Sequence, residues 1–110
     1  MGETDLQLLR ASGVESTFAA GQTLIERGQP GSGVFLVLEG DVVVEAPEGT
    51  RELGPGAVIG ERALLAADGT RTARVRAVTE VRVVAVKREV FDELCAGDAG
   101  FAERIAAASV

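Results

Sequence analysis

The chain has 110 residues, of which 46% are hydrophobic, and its formal net charge is −6. This length and apolar content suffice for one domain with a hydrophobic core, and the acidic balance argues against a general nucleic-acid-binding surface. The chain lacks histidine and has a single cysteine, which excludes histidine-based catalysis, the usual zinc sites and an intramolecular disulfide.

The remaining composition favours a β-rich fold in a reducing compartment. The chain has 14 glycines and only four aromatic residues, all phenylalanine, which is typical of many tight turns around a core of small branched side chains. No apolar run reaches the ~20 residues that a membrane span requires, and the acidic N-terminus lacks a signal-peptide profile. We therefore expect a cytoplasmic domain that contacts neither membrane nor nucleic acid.

The first predicted element is a short helix over residues 4–11, capped by Thr4 or Asp5. Short β-strands follow, and Gly40-Asp41 between two of them predicts a hairpin. The glycine-rich segment 27–33 lacks the residues of a P-loop and precedes a strand, so it is interpreted as a turn. Together residues 14–86 are predicted to form a β-roll, with strands at 14–20, 23–25, 34–39, 42–45, 51–53, 72–77 and 81–86.

The C-terminal region changes to helical periodicity. Residues 87–95 place three apolar side chains on one face, and Gly97 ends this helix. Asp98 is expected to cap a last helix over residues 99–108, and Cys95 is expected to be a buried structural thiol rather than a redox group. The fold class predicted for residues 1–110 is thus a single domain, mainly β, of jelly-roll type with terminal helices.

Residues 60–73, called the cassette segment below, carry the candidate chemistry. Gly60 permits backbone angles that other residues avoid, and the short helical turn expected after it would present free N–H groups to an anion. Arg71 could grip the same anion through two parallel hydrogen bonds. The Glu61 carboxylate would repel a phosphate but could accept a hydrogen bond from a sugar hydroxyl. The spacing therefore predicts a site for a ligand with both a phosphate and a hydroxyl.

The cassette segment resembles the phosphate-binding cassette of the cyclic-nucleotide-binding domain family. The resemblance extends over roughly residues 4–95 and implies a double-stranded β-helix (jelly-roll) fold. Its specificity lies in the ordered set of motifs: Gly21-Gln22-Thr23-Leu24-Ile25, Gly28-Gln29-Pro30-Gly31, Val34–Val42, Leu53-Gly54-Pro55-Gly56, Gly60-Glu61-Arg62-Ala63-Leu64-Leu65 and Arg71-Thr72-Ala73.

The resemblance implies a role for each matching residue. Arg71 would bind the cyclic phosphate, assisted by the backbone N–H groups of Ala63 and Thr72, and Glu61 after Gly60 would bind the ribose 2′-hydroxyl. Each has an ordinary alternative: Arg71 as a solvated arginine, and Glu61 as a carboxylate that stabilises a helix start.

Base recognition is less defined by the sequence. Val44 and Leu53 match positions that wall the base, although a core role would explain them equally well. Thr72 matches a position associated with cyclic GMP in eukaryotic kinases, whereas bacterial members with Thr or Ser there often bind cyclic AMP. Cyclic AMP is the preferred expectation, and cyclic GMP stays open.

Three positions depart from the family pattern. Ile59 replaces a common phenylalanine, Arg62 replaces an apolar residue, and Arg74 stands where Thr or Ser is frequent. Both arginines are expected to face solvent, the alternative being a contribution to phosphate binding.

The resemblance implies a non-enzymatic sensor without a cofactor. An apolar residue, Leu64 or Leu65, would release or capture the C-terminal helices through Phe91 and Leu94, and these helices would close over the base. The expected partner is an effector protein or an effector domain absent from this chain. A degenerate member acting as a protein-interaction scaffold is the main alternative, and an enzyme is disfavoured because metal ligands and a nucleophile–base pair are lacking.

Overall fold

The structure is a computed structural model that describes residues 3–26, 33–60, 73–98 and 100–108. These residues form three helices and eight strands. The helices are α1 (Glu3–Ser12), α2 (Arg88–Gly97) and α3 (Phe101–Ala108). The strands are β1 (Val14–Phe18), β2 (Thr23–Ile25), β3 (Gly33–Glu39), β4 (Val42–Ala46), β5 (Gly49–Leu53), β6 (Val58–Ile59), β7 (Arg74–Ala77) and β8 (Val81–Lys87).

The strands form two four-stranded antiparallel sheets, in the orders β1-β8-β3-β6 and β2-β7-β4-β5. The predicted fold class, mainly β with terminal helices in a jelly-roll arrangement, is confirmed. Most connections carry the chain from one sheet to the other, and β4 and β5 form the hairpin between consecutive strands, around Pro47 and Glu48.

The hairpin predicted at Gly40-Asp41 is wrong, because β3 and β4 lie in different sheets. Gly40 has a φ of 88°, and a Cβ at this position would overlap the carbonyl oxygen of Glu80. The next residue is fixed to the same corner, since its backbone N–H donates to Thr79 Oγ1 over 3.1 Å. The turn therefore serves as a tight corner between the sheets.

Strands β3, β6 and β8 of the first sheet are buried on both faces, whereas the edge strand β1 has no buried residue. One face packs against the helices and the other against the second sheet, so β3 and β8 contain nearly continuous apolar runs rather than alternation. The helix cluster comprises Leu9, Val34, Leu36, Val58, Val84, Val86, Phe91, Phe101 and Ile105. The inter-sheet cluster comprises Ile25, Val37, Val42, Val44, Ile59, Val75, Ala77, Val81 and Val83.

The capping role predicted for Thr4 or Asp5 is also wrong. Helix α1 already includes Glu3, so both residues lie inside its first turn. The Asp5 carboxylate is buried and accepts two hydrogen bonds from Arg104 of α3. Asp5 thus belongs to a tertiary ion pair between the first and the last helix.

Asp98 does precede the last helix, which begins at Phe101 rather than at residue 99. Its Oδ1 accepts a hydrogen bond of 3.0 Å from the Gly100 backbone N–H, and its carbonyl oxygen accepts one of 3.0 Å from Phe101 N–H. Cys95 is half-buried against the helix cluster, and this burial, followed by the nearby Asp92 charge, raises the pKa of its thiol.

Candidate functional site

The cassette segment is anchored at its two ends in different sheets. It leaves the first sheet after β6, which pairs with β3 through Phe35↔Ile59, and it enters the second sheet at β7. Gly60 has a φ of 93°, the left-handed value that makes glycine necessary there, as predicted. Ala73, at the other end, packs against the inter-sheet cluster.

Most of the predicted ligand contacts lie between these ends. Glu61, Ala63, Arg71 and Thr72 fall outside the described residues, as do Arg62, Leu64 and Leu65. The phosphate- and ribose-binding roles therefore stay predictions. The structure describes the frame around them: the backbone at Gly60, the start of β7, and the wall formed by β4 and β5.

The β4–β5 hairpin supplies the two predicted base-contacting residues. Val44 is 7% exposed and belongs to the inter-sheet cluster, and Leu53 is half-buried against that cluster. Leu53 lies opposite Val42, so Val44 and Leu53 share the inner face of the second sheet. Both side chains contact the core, and their contact with a base stays a prediction.

A third side chain shares this face and was missed at the sequence level. Arg51 lies directly opposite Val44 and is exposed, whereas Val44 and its other neighbour, Val75, are buried. Residues directly opposite each other in an antiparallel pair project to the same side of the sheet. The two-residue loop Pro47-Glu48 could have indicated this position. A loop of this length pairs Ala46 with Gly49, and the register that follows places Arg51 opposite Val44.

The opposite, outer face of the second sheet carries ion pairs. Glu45 Oε1 accepts a hydrogen bond from Arg76 Nε over 2.7 Å and lies 3.4 Å from Arg74 Nε. Arg74 is also 4.0 Å from Glu26. Because Arg74 lies opposite Glu45 and alternates with inward-facing Val75, it belongs to the solvent side of the sheet, as expected. Ile59, another departure from the family pattern, is a core residue with 1% exposure.

The C-terminal helices pack on the helix cluster rather than on the β4–β5 wall. Phe91 and Phe101 are buried, with ring centroids 6.1 Å apart and an interplanar angle of 55°. Leu94 is half-buried against the same cluster. The predicted receiving surface is therefore a packed part of the core, and its contact with the cassette segment stays a prediction.

An ion-pair cluster ties α3 to α1. Arg104 Nε and Nη2 donate to the two oxygens of Asp5 over 2.8 and 3.0 Å, and Nη2 also donates to Asp98 Oδ2 over 2.6 Å. The hydrogen bond from Arg104 holds the pKa of Asp98 below its usual value. The same bonds, first that to Asp5, raise the pKa of Arg104. The guanidinium thus fixes the position of α3 on the first helix.

Neither a metal site nor a membrane helix is found in the part of the chain that the structure describes. Among these residues, no three His, Cys, Asp or Glu side chains are grouped as metal ligands would be. Within the same ranges, no helix has the length and apolar character needed to cross a bilayer.

Comparison with known proteins agrees with the family resemblance seen in the sequence. The family model for the cyclic nucleotide-binding domain matches residues 15–98, more than half of the chain. A cyclic nucleotide-gated potassium channel of Mesorhizobium japonicum is 39% identical over 87 residues, which cover 79% of this chain and 24% of the channel. A CRP-like cAMP-activated global transcriptional regulator of Mycobacterium tuberculosis is 32% identical over 78 residues, covering 66% of this chain and 34% of the regulator.

A solved structure extends the likeness to the fold. The structure described as "A cyclic-GMP-dependent signalling pathway regulates bacterial phytopathogenesis" has a TM-score of 0.83 and 30% identity, and the match covers 96% of this chain and 87% of that one. The chain spans about a quarter to a third of the two curated relatives, so it corresponds to one part of each.

Proposed function

This chain belongs to the cyclic nucleotide-binding domain family, and we propose that it is the sensor module of a signalling protein that binds a 3′,5′-cyclic nucleotide. The two curated relatives are a cyclic nucleotide-gated channel and a cAMP-activated regulator, and both names describe proteins that a cyclic nucleotide controls. We expect the chain to act in the cytoplasm as a single domain, without catalysis, on an effector protein or an effector domain outside this chain.

The proposal rests on the motif of the cassette segment and on the positions of the two ends of this segment in the sheets. The residues Gly60-Glu61 and Arg71-Thr72-Ala73 match the family motif, Gly60 has the left-handed backbone, and Ala73 packs against the inter-sheet cluster. In this proposal Arg71 and the N–H groups of Ala63 and Thr72 hold the phosphate. Glu61, positioned by Gly60, accepts a hydrogen bond from the ribose 2′-hydroxyl. Val44 and Leu53 contact the base.

The conformational part of the proposal concerns the C-terminal helices. Ligand binding at the cassette segment is expected to shift α2 and α3, with Leu64 or Leu65 contacting Phe91 and Leu94. Only a ligand that binds two conformations with different affinity can shift them. Because Phe101 and Ile105 are fully buried, deleting residues 98–110 would remove part of the core. Substitutions are therefore the cleaner test of this shift.

Calorimetric titration of the wild-type chain and of Arg71→Ala tests the nucleotide-binding proposal. Removing one partner of a desolvated charge pair costs about 2–5 kcal/mol. This corresponds to roughly a thirtyfold to several-thousandfold loss of affinity. A solvated arginine would contribute below about 1 kcal/mol. The matched control is Arg10→Ala, which removes an exposed arginine from α1 and should leave binding unchanged.

The titrations use cyclic AMP and cyclic GMP, with 5′-AMP as the non-cyclic comparison. If folded Arg71→Ala binds within threefold of the wild type, the assignment of the phosphate site is wrong. If the wild-type chain binds neither cyclic nucleotide, the protein-interaction scaffold becomes the better account. Thermal melting checks the fold of each variant.

A further inference from the structure

We propose that Arg104, Asp5 and Asp98 form an ionic latch that holds the last helix on the first helix and lowers the affinity for nucleotide. This inference rests on the function proposed above, in which the C-terminal helices shift toward the base. The latch consists of the hydrogen bonds from the Arg104 guanidinium to the two carboxylates. A contact that favours the arrangement with the helix away from the base reduces the fraction of molecules ready to bind, and the apparent affinity falls with that fraction.

The latch joins three parts of the chain through one side chain. Arg104 Nε and Nη2 donate to the two oxygens of Asp5 over 2.8 and 3.0 Å. Arg104 Nη2 also donates to Asp98 Oδ2 over 2.6 Å, and Asp98 Oδ1 accepts a hydrogen bond from the Gly100 N–H over 3.0 Å. Because both bonds to Asp5 come from one planar fork, they are lost together when α3 moves away from α1.

Helix α1 is the fixed side of the latch. Gly13 is the single residue between this helix and β1, and a Cβ at Gly13 would overlap the Val84 side chain and the Ala85 carbonyl oxygen. Leu9 of the same helix is fully buried in the helix cluster. This close packing ties α1 to β8, so a movement of the last helix relative to the first sheet is also a movement relative to α1.

The last helix and the proposed base contacts lie on different faces of the sheets. Phe101 and Ile105 pack in the helix cluster on the outer side of the first sheet. Val44 and Leu53 contact the inter-sheet cluster instead. A helix that closes over the base therefore leaves its place beside α1, and the hydrogen bonds from Arg104 to the first helix are broken in that step.

The burial of Asp5 distinguishes the latch from an ordinary surface ion pair. The Asp5 side chain is 9% exposed, whereas that of Arg104 is 40% exposed. Exposed ion pairs contribute little to an equilibrium, but a carboxylate held away from water depends strongly on the cation that donates to it. Separating the two helices takes the guanidinium away from this carboxylate, and the nucleotide has to supply the free energy for that step.

The test compares the wild-type chain with Arg104→Gln by calorimetric titration with cyclic AMP and cyclic GMP. Hydrogen bonds to a charged group shift an equilibrium by roughly ten- to 150-fold. Because solvent weakens the contribution of the half-exposed guanidinium, we expect a smaller effect, a gain of about three- to tenfold in affinity for both nucleotides. The melting temperature should fall in the same variant. Damage to the fold alone would weaken binding, so tighter binding by a less stable variant is specific to the latch.

Two further variants separate the geometry of the latch from a general effect of charge. Arg104→Lys keeps the positive charge but lacks the planar fork, so its affinity should lie between those of the wild type and Arg104→Gln. Arg88→Gln is the matched control. It removes an arginine from an exposed pair with Asp92 inside α2, and it should leave both affinities unchanged.

A spectroscopic measurement on the wild-type chain tests the latch even if Arg104→Gln fails to fold. The Arg104 Nε–H donates to Asp5, so its nitrogen-15 NMR signal, assigned by its loss in Arg104→Lys, should be protected from exchange with water. Saturation with cyclic AMP or cyclic GMP should remove this protection, because the hydrogen bond is broken when the helix shifts.

The outcomes distinguish the latch from the function on which it rests. If the wild-type chain binds a cyclic nucleotide and folded Arg104→Gln binds it equally well or more weakly, the latch is wrong and the sensor function stands. An Arg104 Nε–H that stays protected at saturation overturns the latch as well. A wild-type chain that binds neither nucleotide contradicts both proposals.

Discussion

Replacing Leu9 by alanine tests whether the N-terminal helix is part of the folded core. Leu9 is fully buried in the helix cluster, which it shares with residues of β3, β8, α2 and α3. Truncating a buried leucine costs about 2–5 kcal/mol, because the lost burial adds to the cost of the cavity. A domain of this size loses roughly 4 °C of melting temperature per kcal/mol. We expect Leu9→Ala to melt about 8–20 °C below the wild type.

Leu8→Ala is the matched control, since it makes the same chemical change one residue earlier in the same helix. Leu8 is 40% exposed, so its truncation should cost below about 1 kcal/mol. Helix propensity changes equally in the two variants, and their difference measures burial alone. Urea unfolding of both variants provides the free energies. Values within about 0.5 kcal/mol of each other would mean that α1 does not pack on the cluster in solution.

Two further substitutions test other parts of the structure. Gly40→Ala should destabilise the fold by about 2 kcal/mol or more, because alanine is strained at a φ of 88° and its Cβ meets Glu80; a denaturation midpoint equal to wild type would contradict the corner geometry. Asp98→Asn should flatten the acid dependence of stability. Arg104 lowers the pKa of folded Asp98 below the unfolded value of 3.8, so its contribution is present above about pH 4 and lost as the pH falls through the folded pKa. Melting curves from about pH 2 to 7 measure this, and parallel pH profiles for wild type and variant would refute it.

Most strands could be predicted from the sequence because the alternation of apolar and polar residues indicates which side chains are buried. Val75 and Ala77 alternate with arginines, and both are buried, as period-two alternation requires. The Gly40-Asp41 corner could not be distinguished from a hairpin in the same way. Both structures use a glycine with positive φ, and the difference lies in which strands pair with β3 and β4, a choice made by residues about 40 positions away.

The candidate site also contains residues that local patterns predict and residues that they do not. The left-handed backbone of Gly60 and the inner-face positions of Val44 and Leu53 follow from residue type and alternation. The face of the second sheet on which Arg51 lies follows only from the register of the β4–β5 hairpin. The pair of Asp5 and Arg104 joins residues 99 positions apart, and no local pattern indicates it, so a carboxylate near a helix start was interpreted as a cap.

Strand β6 shows how the cassette segment can influence the helices despite the distance between the two core clusters. Its two residues project to opposite faces of the first sheet: Val58 belongs to the helix cluster and Ile59 to the inter-sheet cluster. Both are at most 1% exposed, and Gly60 follows directly. Packed cores respond to a displacement by moving between discrete arrangements rather than by gradual deformation. In the conformational shift proposed above, a displacement of the chain at Gly60 would act through Val58 on the surface that holds α1, α2 and α3, while the packing of Ile59 between the sheets would limit that displacement.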